Sequence, residues 1–210
     1  MELPSNPVSK KMMYPLIFAT NNANKVREVQ SMLDPSWKLI TLKEAGIVAD
    51  IPEPFDTLEE NARAKAEFIY QSTKKNCFSE DTGLEVYALN NAPGVRSARF
   101  AGEQGNDAAN IQKLLHLLDG NSKRNARFRT VISLLLDGDE YQFEGICTGT
   151  ISLTPRGENG FGYDPVFIPD GSHQTFAEMD ITSKNIFSHR KKAVAKLLHF
   201  LSTYHGQSKN

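Results

Sequence analysis

The pattern of apolar and polar positions predicts a strand, a helix and a second strand at the start of the chain. Residues 14–20 form an apolar run typical of a short buried strand. Apolar residues then recur at helical spacing from Asn24 as far as Asp34 and Pro35, where the proline ends the predicted helix. Residues 37–42 predict the second strand, so the chain is expected to open with a βαβ unit.

A capping box marks the next helix. Residues 45–56 contain two prolines and predict a loop. Thr57 followed three residues later by Glu60 is typical of a helix N-terminus, because each of the two side chains can bond to the other's backbone N–H group. Asn61 and Lys65 lie four positions apart in the predicted helix and therefore share one of its faces.

The rest of the chain alternates strands, loops and helices. A strand over residues 77–89 is expected to be interrupted at residues 80–83 and to resume at Leu84. A glycine-rich loop (92–106) and a helix (107–118) follow, and then a hairpin (126–137 with 140–153). The last elements are a glycine-rich turn into a short strand (159–169) and a final helix (184–203). This order favours the α/β fold class with a mixed sheet over a uniform doubly wound sheet.

Composition argues against several kinds of partner. The 210 residues carry 24 basic and 25 acidic side chains, and a net charge of -1 argues against binding a nucleic acid polymer or an anionic membrane surface. No apolar run is long enough to cross a membrane. Cys77 and Cys147 lack metal-ligand spacing and are expected to be reduced, in a cytoplasmic protein. Residues 1–13 predict a flexible leader, and residues 14–205 predict a single domain.

Two polar stretches interrupt or follow predicted strands. Asn21, Asn22 and Lys25 lie where the first helix begins. Their amides either only cap the helix or, with the lysine and the helix N-terminus, form a site for an anion such as phosphate. Glu80 and Asp81 lie next to each other within an apolar strand. Adjacent carboxylates are unfavourable there unless they lie at a surface turn or share a cation.

The cation that suits such carboxylates is Mg²⁺, because it prefers hard oxygen ligands. Glu53, in the loop before the second helix, could supply a further carboxylate. Phe161 lies between Gly160 and Gly162, an arrangement that suits either a stacking platform for a planar ligand or a tight turn with the ring packed inward. His189 begins a basic run that by itself would be a solvated helix face.

Six short motifs occur together along the chain: TNNANK, EENARAKA, EDTG, PGVRSARF, GFGYDP and SHR. In this order and spacing they resemble the inosine/xanthosine triphosphate pyrophosphatase family, over residues 15–203. The resemblance implies an elongated mixed β-sheet with flanking helices that form two lobes around a central cleft, and a homodimer. It also implies Mg²⁺-dependent hydrolysis of noncanonical purine nucleoside triphosphates (ITP, dITP and XTP) to the monophosphate and pyrophosphate.

The resemblance also implies roles for individual residues. Asp81 would be the general base and, with Glu53, a metal ligand, while Glu80 would stand beside it in the catalytic set and Thr82 would touch the substrate. The triphosphate would be bound by Thr20, Asn21, Asn22, Ala23, Asn24, Lys25 and Lys65. The purine would stack on Phe161 and be bound by Gly162, Tyr163, Asp164, Lys184, His189 and Arg190.

Two departures from the family pattern are visible. Many members read Asp-Asp-Ser-Gly where this chain has Glu80 to Gly83, a change that keeps both carboxylates and the hydroxyl. The loop before EENA often reads Glu-Glu-Thr-Gly, and here only Glu53 remains of that acidic pair.

Arg190 can only donate hydrogen bonds, and His189 can donate from a suitable tautomer or when protonated, so both are expected to select a 6-oxo over a 6-amino purine.

Two rival functions stay open at this point. One is a Maf-type nucleotide pyrophosphatase acting on modified pyrimidines, against which the GFGYDP and SHR motifs argue. The other is a nucleotide-binding module without turnover. Glu53, Glu80 and Asp81 argue against that module, because a pure anion binder would avoid carboxylates.

Overall fold

The computed structural model describes residues 14–33, 37–48, 51–102 and 105–204. The strands in these residues are β1 (Tyr14–Phe18), β2 (Trp37–Thr41), β3 (Cys77–Val86), β4 (Pro93–Gly94), β5 (Asn125–Leu136), β6 (Asp139–Ile151) and β7 (Phe167–Pro169). The helices are α1 (Ala23–Gln30), α2 (Leu58–Thr73), α3 (Asp107–Leu117), α4 (Ile181–Phe187) and α5 (His189–Thr203).

The strands join in one mixed sheet. Its order is β2-β1-β3-β5-β6-β7, and β4 pairs with β3. β1 is parallel to β2 and β3, whereas the β3–β5, β5–β6 and β6–β7 pairs are antiparallel. The predicted α/β class with a mixed sheet is therefore confirmed, as are the opening βαβ unit and the long hairpin. The predicted leader, residues 1–13, lies outside the described residues.

β3 is continuous, and the predicted interruption at residues 80–83 is wrong. Every residue from Cys77 to Val86 has a partner in β5. The carboxylates of Glu80 and Asp81 are buried within the strand, and both lie within hydrogen-bonding reach of cationic side chains. Because these partners replace the lost solvent, the backbone does not have to leave the sheet to hydrate the carboxylates.

The predicted final helix is in fact two helices that meet at Ser188. The Ser188 side chain accepts a hydrogen bond of 3.2 Å from the Lys191 N–H group and so caps the second helix, α5. The first turn of α5 lies directly on Gly145 of β6, where an added Cβ would be 2.0 Å from the His189 carbonyl oxygen. This close approach requires glycine and turns the start of α5 into the protein instead of toward solvent.

Helices cover both faces of the middle of the sheet, around β3 and β5. α1 and α5 pack on one face, in a core that includes Phe18, Phe78 and Leu197, and α2 packs on the other face with Ile69 and Cys77. Side chains alternate along a strand, so even-numbered residues of β3 face α5 and odd-numbered residues face α2. None of the helices in the described residues is long and apolar enough to cross a membrane.

Candidate active site

A cleft of about 480 Å³ runs along β3. It brings together nearly all the site residues predicted from the sequence, from widely separated parts of the chain: Thr20, Asn21, Asn22, Asn24, Lys25, Glu53, Lys65, Asp81, Thr82, Phe161, Gly162, Tyr163, Asp164, Lys184, His189 and Arg190. Two predicted residues, Ala23 and Glu80, do not line it. The fold thus places these side chains around one cavity.

One end of the cleft is formed by the start of α1. Asn22 caps this helix, and its side-chain oxygen accepts hydrogen bonds from the N–H groups of Asn24 (2.9 Å) and Lys25 (3.2 Å). The Asn22 N–H group in turn donates to the Thr20 hydroxyl at 3.1 Å. Two N–H groups of the first turn are therefore already satisfied, so an anion here would meet the Lys25 ammonium and the neighbouring polar side chains.

Asp81 lies on the α2 face of β3, in what we call the Asp81 cluster: Asp81, Lys65, Glu53 and Arg99. Lys65 Nζ is 3.3 Å from Asp81 Oδ1 and also contacts Glu53 Oε1. Arg99 donates to the Glu53 backbone carbonyl at 3.1 Å, and its Nη1 lies 3.6 Å from Glu53 Oε2. One ammonium thus bridges two carboxylates that come from different parts of the chain.

The Asp81 carboxylate is incompletely satisfied. Its Oδ2 atom is buried and has no hydrogen-bond partner among the described residues. Burial raises the pKa of Asp81, and although Lys65 and Lys25 oppose this effect, the pKa stays above its usual value. Burial would also lower the pKa of Lys65, but Asp81 and Glu53 reverse that effect, so Lys65 stays protonated. Asp81 is therefore a buried carboxylate with a free oxygen, a property typical of a base or a metal ligand.

Glu80 lies on the opposite, α5 face of β3 in a second set of charges, the Glu80 network: Lys25, Glu80, Arg190, Glu28, Lys184 and Asp164. Arg190 Nε lies 2.9 Å from both Glu80 carboxylate oxygens, and Lys25 Nζ lies 3.3 Å from Glu80 Oε1. Arg190 also donates to Glu28 and, at 3.4 Å, to the Thr82 hydroxyl. The Arg190 side chain is 1% exposed, so Arg190 does not belong to a solvated helix face, whereas Lys191 and Lys192, the next residues of the basic run, are exposed.

The network continues from Glu28 to the far wall of the cleft. Lys184 Nζ lies 2.8 Å from Glu28 Oε1 and 2.6 Å from Asp164 Oδ2. Burial alone would raise the pKa values of Glu80 and Glu28, but Arg190 and the nearby lysines lower both, that of Glu80 to about 2. These carboxylates are ionised and fully paired, so they hold cations in place and are unsuited to moving protons.

Phe161 forms the far wall, and hydrogen bonds within its own loop and to the start of α3 hold this loop in place. The Phe161 N–H group donates to Asp164 Oδ2 at 2.9 Å, and the Gly162 N–H group donates to Asp107 Oδ2 at 2.7 Å. Lys184 Nζ lies 5.2 Å from the centre of the Phe161 ring, and Arg190 Cζ lies 5.6 Å from it. The half-buried ring therefore faces the cleft beside two cations, an arrangement suited to stacking a planar ligand.

His189 is buried next to this wall and is neutral. Its ring stacks on Phe128 with centroids 4.6 Å apart, and its Nδ1 has no hydrogen-bond partner among the described residues. Burial lowers the pKa of His189 well below its usual value, and the cations of Arg190 and Lys184 lower it further. Of the two ways in which His189 was expected to donate, only the neutral tautomer is therefore left.

Sequence reasoning assigned no role in this site to four residues that hold it together. Glu28 lies one helical turn after Lys25, and no local pattern distinguishes it from a solvated glutamate. Arg99 and Asp107 lie in or just after the glycine-rich loop, whose PGVRSARF motif signalled importance but not a role. Asn61, already predicted to share a face with Lys65, accepts from the Phe55 N–H group and donates to the Phe55 carbonyl, both at 3.0 Å. It thereby fixes the loop that carries Glu53.

The residues around Asp81 suit a Mg²⁺ ion that also binds a ligand's oxygens. Among the described residues no group of three or more His, Cys, Asp or Glu side chains could hold a metal by itself. Mg²⁺ characteristically takes only one or two protein carboxylates and completes its shell with water and phosphate oxygens. Glu53 and Asp81 provide two carboxylates in contact with one cation, and the unpartnered Asp81 Oδ2 is a ready ligand.

Comparisons with known proteins identify the family of the chain. The profile of the Ham1 family matches residues 16–200. A dITP/XTP pyrophosphatase from Porphyromonas gingivalis is 51% identical over 190 residues, which are 90% of this chain and 98% of that protein. One from Flavobacterium johnsoniae is 49% identical over 187 residues, 89% of this chain and 97% of that protein. A HAM1 protein from Coxiella burnetii superposes with a TM-score of 0.84 at 39% identity, over 91% of this chain and 100% of that one.

Proposed function

The chain belongs to the Ham1 family, and from that premise we propose that it is a nucleoside triphosphate pyrophosphatase for noncanonical purine nucleotides. ITP, dITP and XTP would be hydrolysed to the monophosphate and pyrophosphate, as the names of its relatives suggest. The observation that carries the proposal is the position of Asp81. This buried carboxylate, with its raised pKa and free oxygen, lies in the same cleft as two lysines and an aromatic wall.

The triphosphate would bind between α1 and α2. One side of the cleft is lined by Thr20, Asn21, Asn22, Asn24 and Lys25 and the other side by Lys65, so cations would flank the phosphates. Positioned cations stabilise the negative charge that spreads over phosphate oxygens in the transition state. Glu80 would then act from outside the cleft, because its bonds to Lys25 and Arg190 orient both cations.

Asp81 would accept the proton of the water that attacks the α-phosphorus. Its pKa is raised, which makes it a better base than an exposed aspartate, and its Oδ2 has no competing partner among the described residues. Glu53 and Asp81 would hold Mg²⁺, which, when bound, neutralises phosphate charge and increases the acidity of water. Arg99 and Asn61 would keep Glu53 at the edge of the cleft.

The purine would stack on Phe161, with Lys184, His189 and Arg190 beside it. Arg190 donates to Glu80, Glu28 and Thr82, so its orientation is set before the ligand arrives. A 6-oxo group would find donors there, whereas the 6-amino group of adenine would set donor against donor. An unpaired buried polar group costs about 1–3 kcal/mol, so each mismatched donor would disfavour ATP by a factor of about 5–150.

We extend the proposal to the organisation of the protein. Residues 14–205 would act as one domain of two lobes, and the chain would form a homodimer, as its resemblance to the family implies. Its two cysteines are free and buried, which suits the reducing cytoplasm. Light scattering after size-exclusion chromatography would test the dimer.

A panel of nucleotides with resolved products tests the activity. We expect Mg²⁺-dependent release of pyrophosphate from ITP, dITP and XTP, and little turnover of ATP. The products are identified by ³¹P NMR. Orthophosphate as the first product would mean attack at the γ-phosphorus and would contradict the proposal. Preference for modified pyrimidine triphosphates would favour a Maf-type enzyme, and binding of ITP without turnover would favour a non-catalytic module.

A further inference from the structure

The charges of the Asp81 cluster are balanced by side chains of the protein itself, although Asp81 Oδ2 has no hydrogen-bond partner among the described residues. Lys65 Nζ contacts Asp81 Oδ1 and Glu53 Oε1, and the Lys65 side chain is only 7% exposed. Arg99 lies 3.6 Å from the second oxygen of Glu53. Two carboxylates are therefore balanced by two cations, and one of these cations lies between the carboxylates that would bind Mg²⁺.

We propose that the Lys65 ammonium is a placeholder for the divalent cation, occupying the space between Glu53 and Asp81 until a polyphosphate draws it away. This inference rests on the proposed function for the location of the metal. A free divalent ion approaching the cluster meets an ammonium in direct contact with both of its ligands, and like charges at this separation repel strongly inside a protein. Free metal therefore binds weakly.

Lys65 can leave this position without disturbing the two carboxylates. The loop that carries Glu53 is held independently, by the paired hydrogen bonds of Asn61 to Phe55 and by the bond of Arg99 to the Glu53 carbonyl. Asp81 lies in a strand that pairs with β5 along its whole length. A lysine ammonium on a flexible four-carbon stem can turn to a neighbouring anion while these elements stay in place.

The placeholder makes metal and nucleotide bind together. A polyphosphate offers the ammonium new anionic partners, and the vacated carboxylates then accept the metal. By linkage, each ligand raises the affinity for the other by the same factor. The cluster would thereby bind a divalent ion weakly in the absence of nucleotide and would take up the ion together with its nucleotide substrate.

Binding of Mn²⁺ without nucleotide tests this role of Lys65 directly. Mn²⁺ substitutes for Mg²⁺ as an oxygen-preferring ion, and its free form is counted from its EPR signal. Lys65→Gln, which removes the charge, should bind Mn²⁺ at least about tenfold more tightly than the wild type. Lys65→Arg, which keeps the charge, should stay close to the wild type. The double variant Lys65→Gln/Asp81→Asn should lose the gained affinity, which locates the ion at this cluster.

The control is Lys192→Gln, which removes a lysine charge outside the cleft, where Lys192 Nζ donates a hydrogen bond to the Ile146 carbonyl. It should leave Mn²⁺ binding unchanged. If Lys65→Gln does not fold, as judged by its circular dichroism and melting, Lys65→Met provides the same uncharged comparison. Equal Mn²⁺ affinities in the wild type and the uncharged variants, or equal tightening by Lys65→Arg, would overturn the inference. These binding data stand without turnover, so a wild type that fails to release pyrophosphate from ITP would contradict only the proposed function.

Discussion

Glu80 and Asp81 are neighbours in sequence, yet the two faces of β3 give them opposite environments. In the Glu80 network each carboxylate meets two or more donors, and the pKa of Glu80 falls to about 2. In the Asp81 cluster one carboxylate oxygen has no partner among the described residues, and the pKa of Asp81 rises. Two carboxylates with diverging pKa values can take different tasks, one supporting the structure and one the chemistry.

The comparison also separates stability from activity. Arg190, Glu80 and Glu28 are buried charges whose removal leaves an unpaired ion in the protein interior. Asp81 is itself an incompletely paired buried carboxylate, so replacing it removes an unfavourable buried charge from the folded protein and also removes the base. Substitutions on the two faces of β3 should therefore have opposite consequences.

The largest expected effect is that of Asp81→Asn on catalysis. The amide has nearly the same shape but cannot accept a proton, and loss of a positioned base lowers kcat by about a hundred- to ten-thousand-fold. The free energy of unfolding at neutral pH, measured in urea with EDTA, should equal or exceed that of the wild type. Asp119→Asn, at an exposed position, is the matched control. Near wild-type turnover in Asp81→Asn would remove Asp81 from the mechanism. Because the amide would also weaken the proposed metal site, a Mg²⁺ titration should accompany the assay.

Next in size is the effect of Arg190→Met on stability. This change leaves the buried carboxylates of Glu80 and Glu28 without their main partner and should lower the free energy of unfolding by about 3–5 kcal/mol. Arg63→Met is the control, because Arg63 is 48% exposed in its 2.8 Å pair with Glu140 and should lose only about 0–1 kcal/mol. Similar losses in both variants would mean that the buried network contributes no more than a surface pair.

The preference of Arg190→Met for ITP over ATP tests whether Arg190 also binds the purine. If Arg190 also contacts the base, the ratio of kcat/KM for ITP and ATP should fall toward one in Arg190→Met, mainly through loss on ITP. Equal losses on both nucleotides would restrict Arg190 to holding the site together.

A smaller effect is expected in the acid stability of Glu80→Gln. The folded-state pKa of Glu80 is lowered from 4.5 to about 2, so its ionised form stabilises the fold above pH 4.5 by about 3 kcal/mol. This contribution is lost as the pH falls from 4.5 through 2. The wild type should be the more stable protein at neutral pH, and the difference between the two unfolding free energies should close across that window. A constant difference would mean that Glu80 is not held ionised.

The smallest effect concerns Lys25, the residue that acts on both faces. It pairs with Glu80, and its charge also lowers the pKa values of Asp81 and Glu53. Lys25→Met should therefore raise the pKa of Asp81 and move the acid limb of the kcat/KM profile upward by about one pH unit. The base works only when deprotonated, so activity would be lost at a higher pH. An unshifted limb would show that the two regions are electrostatically independent.

Local patterns in the sequence were enough to place most elements and the motifs. Thr57 and Asn22 cap helices because their partners lie only two or three residues away. The alternation of apolar runs placed β1, β2, β5 and β6, and the order of the six motifs indicated the family. These features depend on contacts within one turn or one strand. Such contacts join residues that are close in the sequence, so the local pattern predicts them.

The tertiary structure alone decided what each charged side chain does. Nothing local separates Glu80 from Asp81, since the difference lies in Arg190, which is 110 positions from Glu80, and in Lys65 on another helix. Glu28 became important only because Arg190, 162 positions away, reaches it. Burial and ion pairing set the pKa of a carboxylate, and both are properties of elements brought together by folding. A linear sequence therefore names the candidate base and its neighbour, but only the packed sheet assigns their roles.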